Sequence, residues 1–158
     1  MKKFAILCFV FTVYSCNTNA QDAKKENYSV SKTESEWKQQ LTIEQFNVLR
    51  KGETEARFSS QFNQNKAEGT YVCAACQTPL FESKHKYDSG SGWPSFDREI
   101  KGNIKYVVDY KIGVPRTEEH CATCGGHLGH VFDDGPKTTT GKRHCINGVA
   151  LKFIPKTD

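Results

Sequence analysis

The chain has 158 residues, enough for one domain with its own core and too few for a sizeable second one. Its formal net charge of +4 includes Lys2 and Lys3, and the remaining Lys and Arg are scattered among Asp and Glu without a basic block. That pattern argues against a nucleic-acid partner and describes an ordinary solvated surface.

Residues 1–15 read as an export signal. Met1-Lys2-Lys3 is a positive start, and residues 4–13 form an apolar run too short to span a bilayer. Val13-Tyr14-Ser15-Cys16 resembles a bacterial lipobox, which would leave a lipidated Cys16 at the mature N-terminus. Thr18-Asn19-Ala20 offers an ordinary cleavage site instead, giving a free periplasmic protein. The lipoprotein reading is preferred because a cysteine ends the apolar run. The expected organisation is then a signal at 1–15, a polar tether at 16–35 and a folded domain at 36–156. Contact with a membrane would come only through the lipid anchor.

Residues 35–50 have helical character, with Trp37, Leu41, Phe46, Val48 and Leu49 apolar. Thr42 with Gln45 three residues on offers an internal cap, so two short helices fit as well as one. From Gly69 onward the runs Thr70-Tyr71-Val72, Pro79-Leu80-Phe81, residues 104–110 and residues 149–154 are β in character, punctuated by Gly, Pro, Asn and Asp. The expected fold is mainly β and antiparallel, with a small helical N-terminal cap.

Five of the seven cysteines lie beyond the tether, and they divide four plus one. Cys73-Ala-Ala-Cys76 and Cys121-Ala-Thr-Cys124 are matched C-x-x-C pairs. Four thiolates would close a tetrahedral zinc shell with no position for water, making Zn2+ structural. In an exported protein the rival reading is disulfide bonding, and the 44 residues between the pairs exceed the usual zinc-ribbon spacing. Zinc is preferred because turns flank both pairs and no βαβ pattern accompanies either.

Cys145 stands alone in Arg143-His144-Cys145-Ile146-Asn147. On a strand over residues 143–153, Arg143, Cys145 and Asn147 share a face. Arg143 is expected to favour the thiolate by charge attraction, lowering the Cys145 pKa. The bland alternative is a core cysteine, since Val149, Leu151 and Phe153 would continue that face. Gly126-His127-Leu128-Gly129-His130 places two histidines in a loop near the second pair; their three-residue spacing from Cys124 makes them alternative zinc ligands, but four cysteines already fill the shell, leaving proton carriers or satisfied loop residues. Asp88-Ser89-Gly90-Ser91-Gly92-Trp93-Pro94-Ser95-Phe96 presents Trp93 either to a pocket or to the core.

Together, residues 86–96, 126–136 and 143–147 with both C-x-x-C pairs resemble the B-type methionine sulfoxide reductases, over most of residues 37–155. The resemblance implies two antiparallel sheets around the active site, with a zinc site remote from it. It implies that Cys145 attacks the sulfoxide sulfur of the R epimer and becomes a sulfenic acid. His127 and His130 would position and donate the proton, Asn147 would organise the site and Arg143 would stabilise the thiolate. Trp93 and Phe96 would bind substrate, with Trp93 against the ε-methyl group. The substrate would be oxidised proteins or free methionine sulfoxide. Many members place a recycling cysteine where this chain has Ser91, so an external thiol or a thioredoxin-like protein is the expected reductant. A zinc-stabilised binding module and a thiol peroxidase are the competing functions. The only methionine is Met1, which agrees weakly with repair work in an oxidising compartment.

Overall fold

The computed structural model describes residues 27–157; the expected export signal, the Cys16 lipidation site and the alternative cleavage site at Ala20 lie outside them. Two short helices come first. Helix α1 spans Glu34–Gln40 and α2 spans Ile43–Lys51. Each opens on a reciprocal capping box, Thr33 with Glu36 and Thr42 with Gln45. Such caps contribute about 1 kcal/mol apiece and here decide the split into two helices. Gly52, in the left-handed conformation, closes α2. Trp37, Phe46, Val48 and Leu49 are buried, seating the pair as a cap on the β domain. Among the described residues no helix is long and apolar enough to cross a membrane.

The β elements are β1 (Gly69–Cys73), β2 (Pro79–Glu82), β3 (Lys86–Tyr87), β4 (Ser95–Phe96), β5 (Ile104–Asp109), β6 (Arg116–Cys121), β7 (His127–Phe132), β8 (Arg143–Ile146) and β9 (Leu151–Pro155). They form two antiparallel sheets, a three-stranded one ordered β2-β1-β9 and a six-stranded one ordered β3-β4-β8-β7-β6-β5. The mainly β, two-sheet expectation therefore holds. An aromatic cluster ties the sheets together: Phe81 of β2 stacks on Phe96 of β4 at 4.3 Å between centroids, and Tyr71 of β1 meets Phe96 edge-on at 5.1 Å. All three rings are fully shielded from solvent. Burying rings of this size contributes on the order of 2 kcal/mol each.

Three boundaries differ from the sequence expectation. Residues 143–153 are not one strand: β8 ends at Ile146, a single 3-10 turn spans Gly148–Ala150, and β9 joins the other sheet. Val149, Leu151 and Phe153 therefore do not continue the Cys145 face. Residues 127–132 are a strand rather than a loop, and β6 was hidden by the charged run Arg116-Thr117-Glu118-Glu119-His120. Finally, part of the expected tether lies on the domain. The Val30 N–H donates to Thr123 O at 3.0 Å, and Tyr28 covers Gly125.

Candidate active site

One face of the six-stranded sheet gathers the reactive side chains, and strand register shows why. Cys145 on β8 is paired directly with His130 on β7, which is paired in turn with Glu118 on β6. Directly opposed residues project to the same side, so these three share a face. His127 is three positions from His130, and regular alternation would send it to the other side. A β-bulge prevents this: His120 pairs with His127 while Glu119 pairs with Gly129, leaving Leu128 as the extra residue. The rings of His127 and His130 then lie 5.6 Å apart. Gly129 is required at this crossing because a Cβ there would lie 2.0 Å from the Cys145 carbonyl oxygen.

Asn147 holds the bulge. Its backbone N–H and its Nδ2 both donate to the Leu128 carbonyl, at 2.9 and 3.0 Å. Its Oδ1 accepts from the Glu55 N–H at 3.0 Å, and the Glu55 carbonyl accepts from Trp93 Nε1 at 3.2 Å. The Glu55 carboxylate accepts from the Gly148 and Val149 N–H groups at 2.6 and 2.9 Å, pinning the 3-10 turn. A continuous chain of bonds thus runs from Trp93 through Glu55 and Asn147 to the bulge that aims His127. Asn147 positions other groups, and both ends of its amide are committed.

Each histidine has a carboxylate beside it. His130 Nε2 lies 2.5 Å from Asp109 Oδ2, and Arg116 Nη2 donates to the same oxygen at 2.9 Å. His127 Nδ1 lies 2.5 Å from Glu118 Oε1, close but misaligned for a hydrogen bond. Burial pushes His127 down to about 4 and lowers His130 as well, so both imidazoles are neutral at pH 7. Asp109 is held down at about 2: burial opposes ionisation, but the bonds from His130 and the Lys111 N–H outweigh it. Glu118 is lowered too, against its burial, by the two neighbouring histidines and Lys111.

Cys145 corrects a sequence expectation. Burial raises its pKa, and the contacts from Ser91 and Arg143 offset that only in part. The resting sulfur is therefore a thiol rather than a thiolate. Arg143 is largely engaged elsewhere, donating from Nε and Nη2 to the Asp134 carboxylate at 2.8 and 2.9 Å and lying over the Phe132 ring at 4.5 Å. Ser91 Oγ sits 3.7 Å from Cys145 Sγ and is bonded to Ser89, whose hydroxyl also meets Ser95 at 2.7 Å. A surface depression lined by Tyr87, Ser89, Ser91, Asp134 and Arg143 adjoins the sulfur.

Trp93 is half-buried, with its indole N–H anchored and Arg57 5.6 Å from its ring. It is not among the fully buried core side chains. Phe96 is the opposite case. It is fully buried against Phe81 and Tyr71 and offers no face to a ligand, so its expected substrate-binding role is corrected to a packing one. Glu55, Asp109, Arg116 and Glu118 were not singled out from the sequence. For Glu118 the hint was an acidic residue three positions before a metal-type cysteine, on a strand too charged to be recognised.

The four paired cysteines converge elsewhere, and none is in a disulfide. Cys73 and Cys124 sulfurs are 3.7 Å apart, and Cys76 and Cys121 sulfurs 3.5 Å. A tetrahedral ion with bonds of about 2.3 Å to sulfur requires edges of roughly 3.8 Å, so the set fits such an ion. Disulfide pairing would demand sulfurs about 2 Å apart.

Comparison with known proteins agrees with this architecture. The SelR domain family matches residues 41–155. The chain belongs to that family. It is 52% identical over 128 residues to the peptide methionine sulfoxide reductase MsrB of Leptospira interrogans, covering 80% of this chain and 97% of that protein. The MsrB of Leifsonia xyli is 44% identical over 138 residues, covering 87% and 99%. That of Chromohalobacter salexigens is 49% identical over 127 residues, covering 80% and 96%. The B-type methionine sulfoxide reductase resemblance read from the motifs is thereby established.

Proposed function

We propose that this SelR-family oxidoreductase reduces the R epimer of methionine sulfoxide, in oxidised proteins or free, through Cys145. The observation that carries the reading is the bulge at Leu128, which places His127 and His130 on the face where Cys145 emerges. The Cys145 sulfur attacks the sulfoxide sulfur, the S–O bond breaks, and methionine leaves. Oxygen and one proton remain on Cys145 as a sulfenic acid, so the thiol's own proton balances the step. With Cys145 a thiol and both imidazoles neutral at rest, one proton is available to this set, and His127 and His130 relay it from sulfur to the departing oxygen. Asp109 and Glu118 stabilise whichever ring carries it transiently. Trp93 receives the ε-methyl group, and Arg143 steadies charge developing on Cys145.

Ser91 stands in for a recycling cysteine, so an external small thiol or a thioredoxin-like protein attacks the oxidised Cys145 and regenerates it. The four-cysteine cluster holds Zn2+, which joins the two knuckles and takes no part in the chemistry. The N-terminal leader and Cys16 support an exported lipoprotein whose catalytic domain is tethered to the envelope, with an unlipidated periplasmic form as the alternative. Incubation with dithiothreitol and each sulfoxide epimer, then with hydrogen peroxide, tests the assignment. Turnover is expected with the R epimer alone and should vanish in Cys145→Ser. Turnover with peroxide but neither sulfoxide would overturn it in favour of a peroxidase.

A further inference from the structure

Glu118, His120 and His127 offer one carboxylate oxygen and two ring nitrogens within 4.8 Å of one another, apart from the four cysteines. We propose that these three side chains form a second metal site, for a divalent transition ion of the Zn2+ or Co2+ class, whose occupation blocks the enzyme.

Two features set the donors in readiness. His120 Nδ1 faces the Gly125 carbonyl at 3.2 Å, and a carbonyl only accepts, so the ring proton belongs on Nδ1. Its Nε2 lone pair is thereby left towards Glu118 Oε1, 3.4 Å away. That spacing matches the edge between two ligands of a tetrahedral ion at about 2.0–2.1 Å from each. Gly125 holds its place because its φ of +69° suits glycine and because Tyr28 packs so close that a Cβ would lie 2.4 Å from the ring. The outer partner that orients a metal-binding histidine is thus already built.

The second feature is His127. It is 3% exposed; among the described residues its Nε2 has no hydrogen-bond partner, and its Nδ1 lies against Glu118 Oε1 without the alignment of a hydrogen bond. A buried imidazole with a ring nitrogen left unsatisfied is costly unless something else engages it. An ion bound to one nitrogen and to Glu118 would supply that engagement. Without the ion, Lys111 brings its ammonium to 3.6 Å from the same Glu118 oxygen. Lys111 is half-exposed and able to withdraw when a divalent cation arrives.

The consequence for activity rests on the proposed reductase function, because an ion on His127 and Glu118 removes a proton relay and its carboxylate. Binding itself does not depend on that reading. Co2+ is added to desalted, reduced protein with the four-cysteine site already filled by zinc, and uptake is followed by calorimetry and visible absorption. Methionine formed in a single turnover without added thiol is measured in parallel. One further equivalent of Co2+ is expected, with an absorption of nitrogen and oxygen ligation and no thiolate charge-transfer band, together with loss of the single turnover. Cys145→Ser should bind the ion equally, excluding the free thiol as a ligand. His120→Asn keeps a donor for Gly125 and deletes the distal nitrogen; it should bind at least tenfold more weakly and retain metal-free turnover. Wild-type protein that takes up no further ion, or His120→Asn that binds as tightly, would overturn the site. Uptake without loss of turnover would overturn the blocking role. Absence of metal-free turnover would instead count against the reductase reading.

Discussion

The protein keeps its sulfur in two contrasting settings. The four cysteines at 73, 76, 121 and 124 face one another, with sulfurs 3.5 and 3.7 Å apart and three of the four residues buried. Among the described residues Cys145 meets no other sulfur; around it stand Ser91, Arg143 and a facing histidine, and it lies half-open beside a surface depression. The same element is made inert by closure in one place and usable by partial exposure in the other. In the proposed function, reactivity at Cys145 comes less from a lowered pKa than from a neighbouring relay that handles its proton.

Substitution separates the settings most sharply. If the four cysteines hold the proposed Zn2+, Cys121→Ser should lose it and with it several kcal/mol, enough to unfold a domain of this size, as read by metal content and thermal melting. Cys145→Ser should leave melting within about 0.5 kcal/mol of wild type while abolishing turnover. Reversal of these outcomes would exchange the roles of the two sites.

Phe96 tests where the closed region ends. Phe96→Ala should cost about 3–5 kcal/mol in chemical denaturation, through lost stacking on Phe81 and the cavity left between the sheets. A milder Phe96→Leu should leave KM unchanged. An altered KM at full stability would return Phe96 to the substrate pocket.

Acid should reach the open site first. The His127 pKa near 4 is below the ordinary 6.5, so the unfolded chain binds more protons between those values. Stability contributed by neutral His127 is present above pH 6.5 and is lost as pH falls towards 4, by on the order of 3 kcal/mol. The His130 shift has the same sign. His127→Gln should flatten that part of a stability-against-pH curve, measured by denaturant titration. An equally steep curve would place the acid sensitivity elsewhere.

The smallest structural change is Ser91→Cys. With Oγ of Ser91 3.7 Å from the Cys145 sulfur, the new thiol should form a disulfide with oxidised Cys145 after one turnover, with little change in stability. Peptide mapping without reduction detects it, and its absence would contradict the loop placement.

Much of this was legible in the residues. Thr42 with Gln45 three positions on signalled the second helix start, whereas the Thr33 cap of the first was not singled out, and the paired C-x-x-C spacing signalled a four-cysteine cluster that fits an ion. The strands at residues 116–121 and 127–132 were not, because β6 carries charge that alternation rules treat as surface. Glu118 and Glu119 are in fact buried opposite histidines. The bulge at Leu128 had no local marker beyond the glycines beside it, since it depends on register with β6. Phe96 and the resting state of Cys145 were misjudged for one reason: burial is a property of the assembled sheets, and no neighbour in sequence reports it.

The most direct test is chemical trapping at a single atom. Reduced protein given one equivalent of the R epimer, without added thiol and with dimedone present, should yield methionine and carry the adduct on Cys145 alone, its four metal-type cysteines unmodified. Methionine released with no adduct on Cys145, or a bond joining Cys145 to one of those four, would contradict the division between a closed sulfur site and an open one.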